Sequence, residues 1–405
     1  MNFPYLKSIK VIDCHTYQNI DIDAESLSAP FKHIIVTGKN GSGKSTILLG
    51  IAKTLDNYKV NEQSTNDRID YLTRVIGANK NYPSRIEWEV EIQQLSSVKL
   101  NFNGCGEVEP FEAYTDPECL LSYFQAQRHV NLNNVDTVTK EAAFVERLKK
   151  SQITEEFSKE FKQYLVNKKV FQAFAKMDNE NTETDNNAIF FEKFEACLKQ
   201  VFKDDHMKLI FLKEQFEFVL QLEDGRKLTF NQLPAGFSAF LSILIDLMMR
   251  IDLIRKEKNN FNFDPSGIVI IDEPETHLHL EMQYEILPIL TSFFPNIQFV
   301  VASHSPAVIS SIKNVMIFDL TSKQTGSKDM VSSSFVEIMT THLGLDNQFS
   351  NVADEILKNI DDAFKAKDTF TLKQLLIDNE QYLSISLRLE IESRINHLKS
   401  LTEEE

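Results

Sequence analysis

Apolar and polar positions follow two different periods along the chain, and the changes of period divide it. The opening stretch, YLKSIKVIDCHTYQNIDIDAES, mixes alternation with β-branched residues and predicts an antiparallel strand pair ahead of a buried strand, HIIVTG. A helix over 44–55 follows, and SRIEWEVEIQQLSSVKLNFNG (84–104) then alternates with period two, as a half-exposed sheet does. LLSYFQAQRHV (120–130) reads as a short buried strand ending in polar residues. From 139 to about 205 apolar positions recur three and four apart, which predicts a helical insertion, with the acidic DNENTETDNN (178–187) as a solvated linker inside it. MKLIFLKEQFEFVLQLEDGRKLTFNQL returns to strands around an EDGR turn. A helix from 235 to about 256, a buried strand over 267–272, another helix and the strand IQFVVASHS complete an α/β core. Beyond NVMIFDLTSKQTGSKDMVSSS the chain is charged and helical, and no internal repeat is visible.

Length and composition narrow the picture. At 405 residues the chain is too long for one small core. A hydrophobic fraction of 42% and a charged fraction of 25% are ordinary for a soluble protein, and no run of about 18 apolar residues is present to cross a membrane. The start does not read as a signal peptide, so a cytoplasmic location is expected. Cys14, Cys105, Cys119 and Cys197 form no C-x-x-C pair, which argues against a zinc knuckle or a disulfide framework and predicts reduced, mostly buried thiols. A net charge of -16 disfavours sequence-independent coating of DNA, while leaving room for a local basic groove.

The chemistry concentrates at strand ends. VTGKNGSGKST holds the spacing Gly38-x-x-x-x-Gly43-Lys44-Ser45 between a predicted strand and a predicted helix. Such a loop cradles phosphates with backbone N–H groups and a helix N-terminus, so Gly38, Asn40, Gly41, Gly43, Lys44, Ser45 and Thr46 are the candidate ATP-binding set. Lys44 would neutralise β- and γ-phosphate oxygens, and the Ser45 hydroxyl would ligate Mg²⁺. In GIVIIDEPETHLHL, Asp272 and Glu273 emerge from a buried strand. Asp272 would hold Mg²⁺ through water, and Glu273 would polarise the attacking water. Ser303 and His304 end a further strand, where a histidine either senses a γ-phosphate or is structural.

These motifs in this order resemble the ATP-binding-cassette (ABC) head, and DEPETHLH and SHSP are most similar to the OLD-like and SMC-like intracellular ATPases. The resemblance implies an α/β fold: a mixed P-loop sheet with an antiparallel β subdomain, a helical insertion and an α-helical C-terminal tail. It divides the chain into 1–138 and 206–320 as the two halves of the head, 139–205 as the insertion and 321–405 as the C-terminal region. It carries Lys44, Ser45, Asp272, Glu273 and His304 into the family's roles. It also points to Gln125 or Gln127, Gln125 in preference, as the loop glutamine that touches Mg²⁺ and water, and leaves Arg128 either reaching phosphate or bracing the strand. Two heads would sandwich two nucleotides, each site completed by the partner's signature segment.

At that signature the chain departs from the family pattern. Leu233-Pro234-Ala235-Gly236-Phe237 stands where a Leu-Ser-Gly-Gly-Gln type stretch is expected. Gly236 keeps a close approach to phosphate, whereas Pro234, expected at the first helical position, removes a serine hydroxyl. Losing one charge-assisted bond of roughly 1.5 to 3 kcal/mol should slow closure or hydrolysis by roughly ten- to a hundred-fold. Ser238, one turn on, is a weaker substitute. Glu275, His277 and His279 do not share a helix face and, by the resemblance, belong to a loop that contacts the partner head rather than to a metal cluster.

Transport is disfavoured, and no C-terminal segment carries the acidic clusters of a TOPRIM nuclease. The chain looks like the ATPase subunit of a bacterial anti-phage defence module. The expectation is a homodimer or higher homo-oligomer that uses ATP and Mg²⁺ to regulate a separate HNH or TOPRIM nuclease, with LLIDNEQYLSISLRL (375–389) as a docking element or a cap on its own core. A DNA-repair or recombination ATPase that clamps DNA ends is the competing expectation, and a slow nucleotide-binding scaffold a third.

Overall fold

Runs rich in Val, Ile and Phe place parallel strands at the centre of the larger of two compact units, Met1–Phe335 and Val336–Glu405. The computed structural model describes residues 3–14, 17–24, 31–61, 65–78, 83–103, 114, 119–128, 132–140, 142–178, 181–326, 351–378, 388–389 and 391–396. The strands are β1 (Leu6–Cys14), β2 (Tyr17–Asp23), β3 (His33–Thr37), β4 (Val98–Phe102), β5 (Leu120–Phe124), β6 (Lys208–Leu212), β7 (Glu217–Gln221), β8 (Lys227–Thr229), β9 (Gly267–Asp272), β10 (Ile297–Ala302), β11 (Val315–Asp319) and β12 (Gln324–Gly326). The helices are α1 (Lys44–Asn61), α2 (Thr65–Ala78), α3 (Arg85–Ser97), α4 (Ala142–Lys150), α5 (Phe161–Met177), α6 (Asn181–Phe202), α7 (Ala235–Glu257), α8 (Leu280–Phe293), α9 (Pro306–Ile309), α10 (Asn351–Lys365) and α11 (Thr369–Asp378).

The central sheet runs β12-β11-β3-β10-β9-β5, parallel except for β12. A second sheet, β2-β1-β4, is antiparallel and shares the core through Ile9, Val11, Ile22 and Leu100, with Ile47, Ile51 and Leu55 of α1. Buried Gln298 joins the two sheets: its amide donates to the Leu6 carbonyl at 2.9 Å and accepts from the Leu6 N–H at 2.8 Å. A third sheet, β6-β7-β8, turns at Gly225, whose φ of 83° suits glycine.

Buried charges tie helices α4 through α6 to α7. Lys168 of α5 pairs with Asp252 at 2.6 Å. Arg250 Nε pairs with Asp246 at 2.5 Å, lies over the Phe157 ring at 4.4 Å and donates to the Glu155 carbonyl. The smaller unit packs α10 and α11 through Ile360, Ala363, Leu372, Ile391 and Ile395, and the Asp368 side chain caps α11. Residues 379–387 of the expected docking stretch lie outside the described residues.

Four expectations need correction. Residues 85–97 form helix α3 rather than a strand, and only Val98–Phe102 is extended. The run of Glu and Gln between the alternating apolar residues favours helix, and Ile86 is left 74% exposed, so the period-two pattern marks no buried face. Helix α2, paired with α3 through Arg68 and Glu91 at 2.9 Å, was not foreseen, and α1 runs on to Asn61. The acidic linker shrinks because α6 begins at Asn181, and its buried Asn187 accepts from Lys168 at 3.1 Å. Pro234 is the N-cap of α7, not its first helical residue. Cys197 is buried and Cys119 half-buried, both unbridged, whereas the side chains of Cys14 and Cys105 lie outside the described residues. Among the described residues no helix is long and apolar enough to cross a membrane.

Two stability predictions follow from buried groups. Arg250→Ala strands the Asp246 carboxylate and should lose about 3 to 5 kcal/mol in urea unfolding. Burial holds His33 down at about 4, below its ordinary 6.5, while its Nδ1 accepts from the Phe299 N–H at 3.1 Å. A histidine depressed in the fold contributes fully above pH 6.5 and loses that contribution as pH falls towards 4. The unfolding midpoint should drop across that window, and the drop should shrink in His33→Phe.

Candidate functional site

Strand register brings the motif residues to one edge. Ala302 of β10 pairs with Val36 of β3 on one side and Asp272 of β9 on the other, while Phe124 of β5 pairs with Ile271. The P-loop, the acidic pair, Ser303 with His304, and Gln125 therefore leave the sheet at the same level, outside its carboxyl ends, where open α/β sheets bind ligands.

The P-loop turns on glycines at positive φ, Gly38 at 141°, Gly41 at 79° and Gly43 at 83°. A Cβ on Gly38 would stand 2.9 Å from Ser42 Oγ, so the loop closes tightly at its base. Asn40, Gly41, Ser45 and Thr46 are exposed. Lys44 is 5% exposed, and its ammonium donates to the Gly38 carbonyl at 2.8 Å and the Lys39 carbonyl at 3.1 Å. Burial lowers its pKa, and the nearby carboxylates of Glu273, Asp272, Glu275 and Asp319 work against that shift.

Asp272 is buried, and its Oδ1 has no hydrogen-bond partner. Burial raises its pKa, and a hydrogen bond with the Ser45 hydroxyl opposes the rise. An orphaned carboxylate oxygen beside an exposed serine hydroxyl is a donor set that suits a hard divalent cation. Glu273 takes φ of 45°, a left-handed conformation that a non-glycine residue adopts under constraint, and its N–H is held by the Ala302 carbonyl at 2.9 Å. His304 stands with Nδ1 3.6 Å from Glu273 Oε1 and 3.4 Å from Glu275 Oε1. Gln125 and Gln127 are both exposed just past β5, and Gln125 follows the residue paired with Ile271, which places it level with Asp272.

Arg128 braces the strand ends. Its guanidinium is buried and donates to the Asp272 carbonyl at 2.8 Å, the Glu273 carbonyl at 2.9 Å and the Gln125 carbonyl. Burial brings its pKa down to about 10, with Glu156 foremost among the carboxylates that resist the fall. Sequence reading missed the support from β11: Asp319 accepts from the Thr321 N–H at 2.8 Å, and Thr321 Oγ1 accepts from the Lys39 N–H at 3.0 Å, so the turn after β11 holds the P-loop. An aspartate ending a buried strand two residues before a threonine was the available signal.

Pro234 and Ala235 are exposed at the start of α7, whereas Gly236 is buried. A Cβ on Gly236 would stand 2.4 Å from the His277 carbonyl oxygen, so glycine is required by a contact within the chain itself. Ser238 is buried too. Among the described residues there is no group of three or more His, Cys, Asp and Glu side chains placed to hold a metal.

Known proteins are similar to this chain in sequence. The chain is 23% identical over 349 residues to the Retron Vc95 probable ATPase of Vibrio cholerae serotype O1 biovar El Tor, covering 70% of this chain and 68% of that protein. It is 25% identical over 316 residues to the Septu protein PtuA of Bacillus mycoides (strain KBAB4), covering 75% of this chain but only 38% of that one. Among solved structures, the Smc head bound to the C-winged helix domain of ScpA covers 78% of this chain and 94% of its own, at 12% identity and a TM-score of 0.39. Residues 34–310 match the family described as "AAA domain, putative AbiEii toxin, Type IV TA system". Matched over well more than half of its length, the chain belongs to this AAA domain family and is a P-loop ATPase.

Proposed function

We propose that two copies of this chain close head to head on ATP, and that closure and hydrolysis regulate a separately encoded nuclease effector in anti-phage defence. The observation that carries the ATP site is the convergence of Lys44, Asp272, Glu273 and His304 on one edge of the sheet, with a buried oxygen of Asp272 left open. The retron and Septu relatives support the defence role. The head halves, residues 1–138 and 206–320, would bind nucleotide in the cytoplasm, and the insertion (139–205) and the region 321–405 would meet the effector.

Backbone N–H groups of Gly38 to Thr46 bind the phosphates, and the Lys44 ammonium leaves its two carbonyl partners to neutralise them. Asp272, Ser45 and Gln125 would hold Mg²⁺, which when bound screens the phosphate charge. Glu273 orients the attacking water and takes its proton, and His304 contacts the γ-phosphate. The exposed Pro234, Ala235 and the N-terminus of α7, with Gly236 behind them, complete the partner's site through the helix dipole alone.

Purified protein should hydrolyse ATP. Lys44→Ala should lose nucleotide binding, whereas Glu273→Gln should retain it and slow turnover by about 10² to 10⁴; equal rates for wild type and Glu273→Gln would defeat the assignment. Pro234→Ser supplies the missing hydroxyl at a position where serine is a favoured N-cap, and it should raise turnover or ATP-dependent dimerisation by roughly ten- to a hundred-fold. Co-purification of the neighbouring gene's product with and without ATP tests the effector, and turnover stimulated by DNA in its absence would favour a DNA clamp.

A further inference from the structure

Glu275 lies two residues beyond Glu273 in the turn leading to α8, yet it is only 4% exposed. One of its oxygens, Oε1, accepts three hydrogen bonds from the three consecutive residues after β10: Ser303 Oγ at 2.7 Å, the His304 N–H at 3.0 Å and the Ser305 N–H at 3.2 Å. Oε1 is thereby compensated from a single turn, while Oε2 is buried with no hydrogen-bond partner. That turn is braced from behind, because Ser305 Oγ donates to Gln283 of α8 at 2.6 Å and caps α9 by accepting from the Val308 N–H. The His304 ring, by contrast, is 48% exposed, and its Nδ1 lies 3.4 Å from Glu275 Oε1 and 3.6 Å from Glu273 Oε1.

Two carboxylates thus lie near one ring nitrogen. Glu273 is partly open to solvent, while Glu275 is locked by its three donors. Were the Nδ1–H given to Glu273, the base would be occupied by the histidine instead of water. A fixed carboxylate behind an imidazole sets its tautomer and orientation, as the supporting acid does in a catalytic triad or a metal-bound histidine.

We propose that Glu275 is a positioning residue for hydrolysis: it holds the Nδ1–H of His304, leaves Nε2 as the nitrogen that meets the γ-phosphate, and keeps Glu273 free for water. This rests on the roles given to Glu273 and His304 above. It also makes Glu275 the mechanical joint between the turn of residues 273–279 and the end of β10, since the carboxylate belongs to one and all three of its donors to the other.

The test uses Glu275→Gln, whose amide oxygen can still accept from Ser303 to Ser305 while the charge is gone. In the wild type, ¹⁵N NMR of labelled histidine should show His304 protonated at Nδ1 without nucleotide, and Glu275→Gln should shift that tautomer toward Nε2–H. The variant should lose about ten- to a hundred-fold in kcat, with the KM for ATP within about threefold of wild type. In a His304→Gln background it should cost less than about twofold more, because the two residues act as one unit. A full additional loss in that background, or a wild-type ring protonated at Nε2, overturns the proposal. If His304→Gln hydrolyses at the wild-type rate, the reading of His304 as a participant fails, and the positioning role falls with it even where the tautomer is as expected. Should Glu275→Gln fail to fold, the wild-type tautomer alone decides.

Discussion

The register of β10 between β3 and β9 is the constraint on which the rest of the site depends. Pairing Ala302 with both Val36 and Asp272 makes three strands end together, so phosphate loop, acidic pair and histidine reach one point without any long side chain having to bridge a gap. A slip of one residue would turn the strand's side chains to the opposite face. Burial on both faces resists such a slip, since every residue of β3, β9 and β10 is buried, and the Gln298 amide adds a directional lock by bonding β1 from within β10.

Ending strands together also gathers negative charge: Asp272, Glu273, Glu275 and Asp319 surround Lys44. The fold answers with buried donors, not with solvent. Arg128 gives its guanidinium to three carbonyl oxygens, fixing where the acidic pair emerges while placing a positive charge behind it. Asp319 spends its carboxylate on the turn that supports Lys39, and Glu275 on the turn that carries His304. Asp272 keeps a buried oxygen, Oδ1, without a partner, as does Glu275 with Oε2, but only Asp272 has the exposed Ser45 hydroxyl beside it as a second oxygen donor for a ligand.

Much of this was legible in the sequence because the relevant signals are short and local. The P-loop spacing, the buried run before Asp272 and the glycine turn at 225 each depend on a few adjacent residues. What escaped reading depends on distant ones. Alternating Ile86, Trp88, Val90 and Ile92 look like one face of a strand, yet the segment is helical and packs by its Leu95 end, with Arg68 on α2 as an ion-pair partner. The polar stretch at 178–187 looks like a linker, but Asn187 has a buried lysine to bind. The two offered fates of Arg128 could not be separated by pattern, since bracing carbonyl oxygens requires β5 and β9 to be neighbours.

Gly236 ties the start of α7 to the turn after β9. Its missing side chain admits the His277 carbonyl, so the start of α7 and the turn after β9 pack as one piece whatever precedes them. Pro234 sits outside that contact, exposed, with a φ of -54° and a ψ of 148° that end the approach to the helix cleanly. A serine at position 234 would therefore add a hydroxyl at the surface without disturbing the packing behind it. Because the turn of residues 273–279 touches α7 through His277 and the end of β10 through Glu275, a displacement of α7 acts on the same short segment that borders the base and the histidine. Seven residues thus connect the start of α7 to the end of β10, where Glu273 and His304 stand.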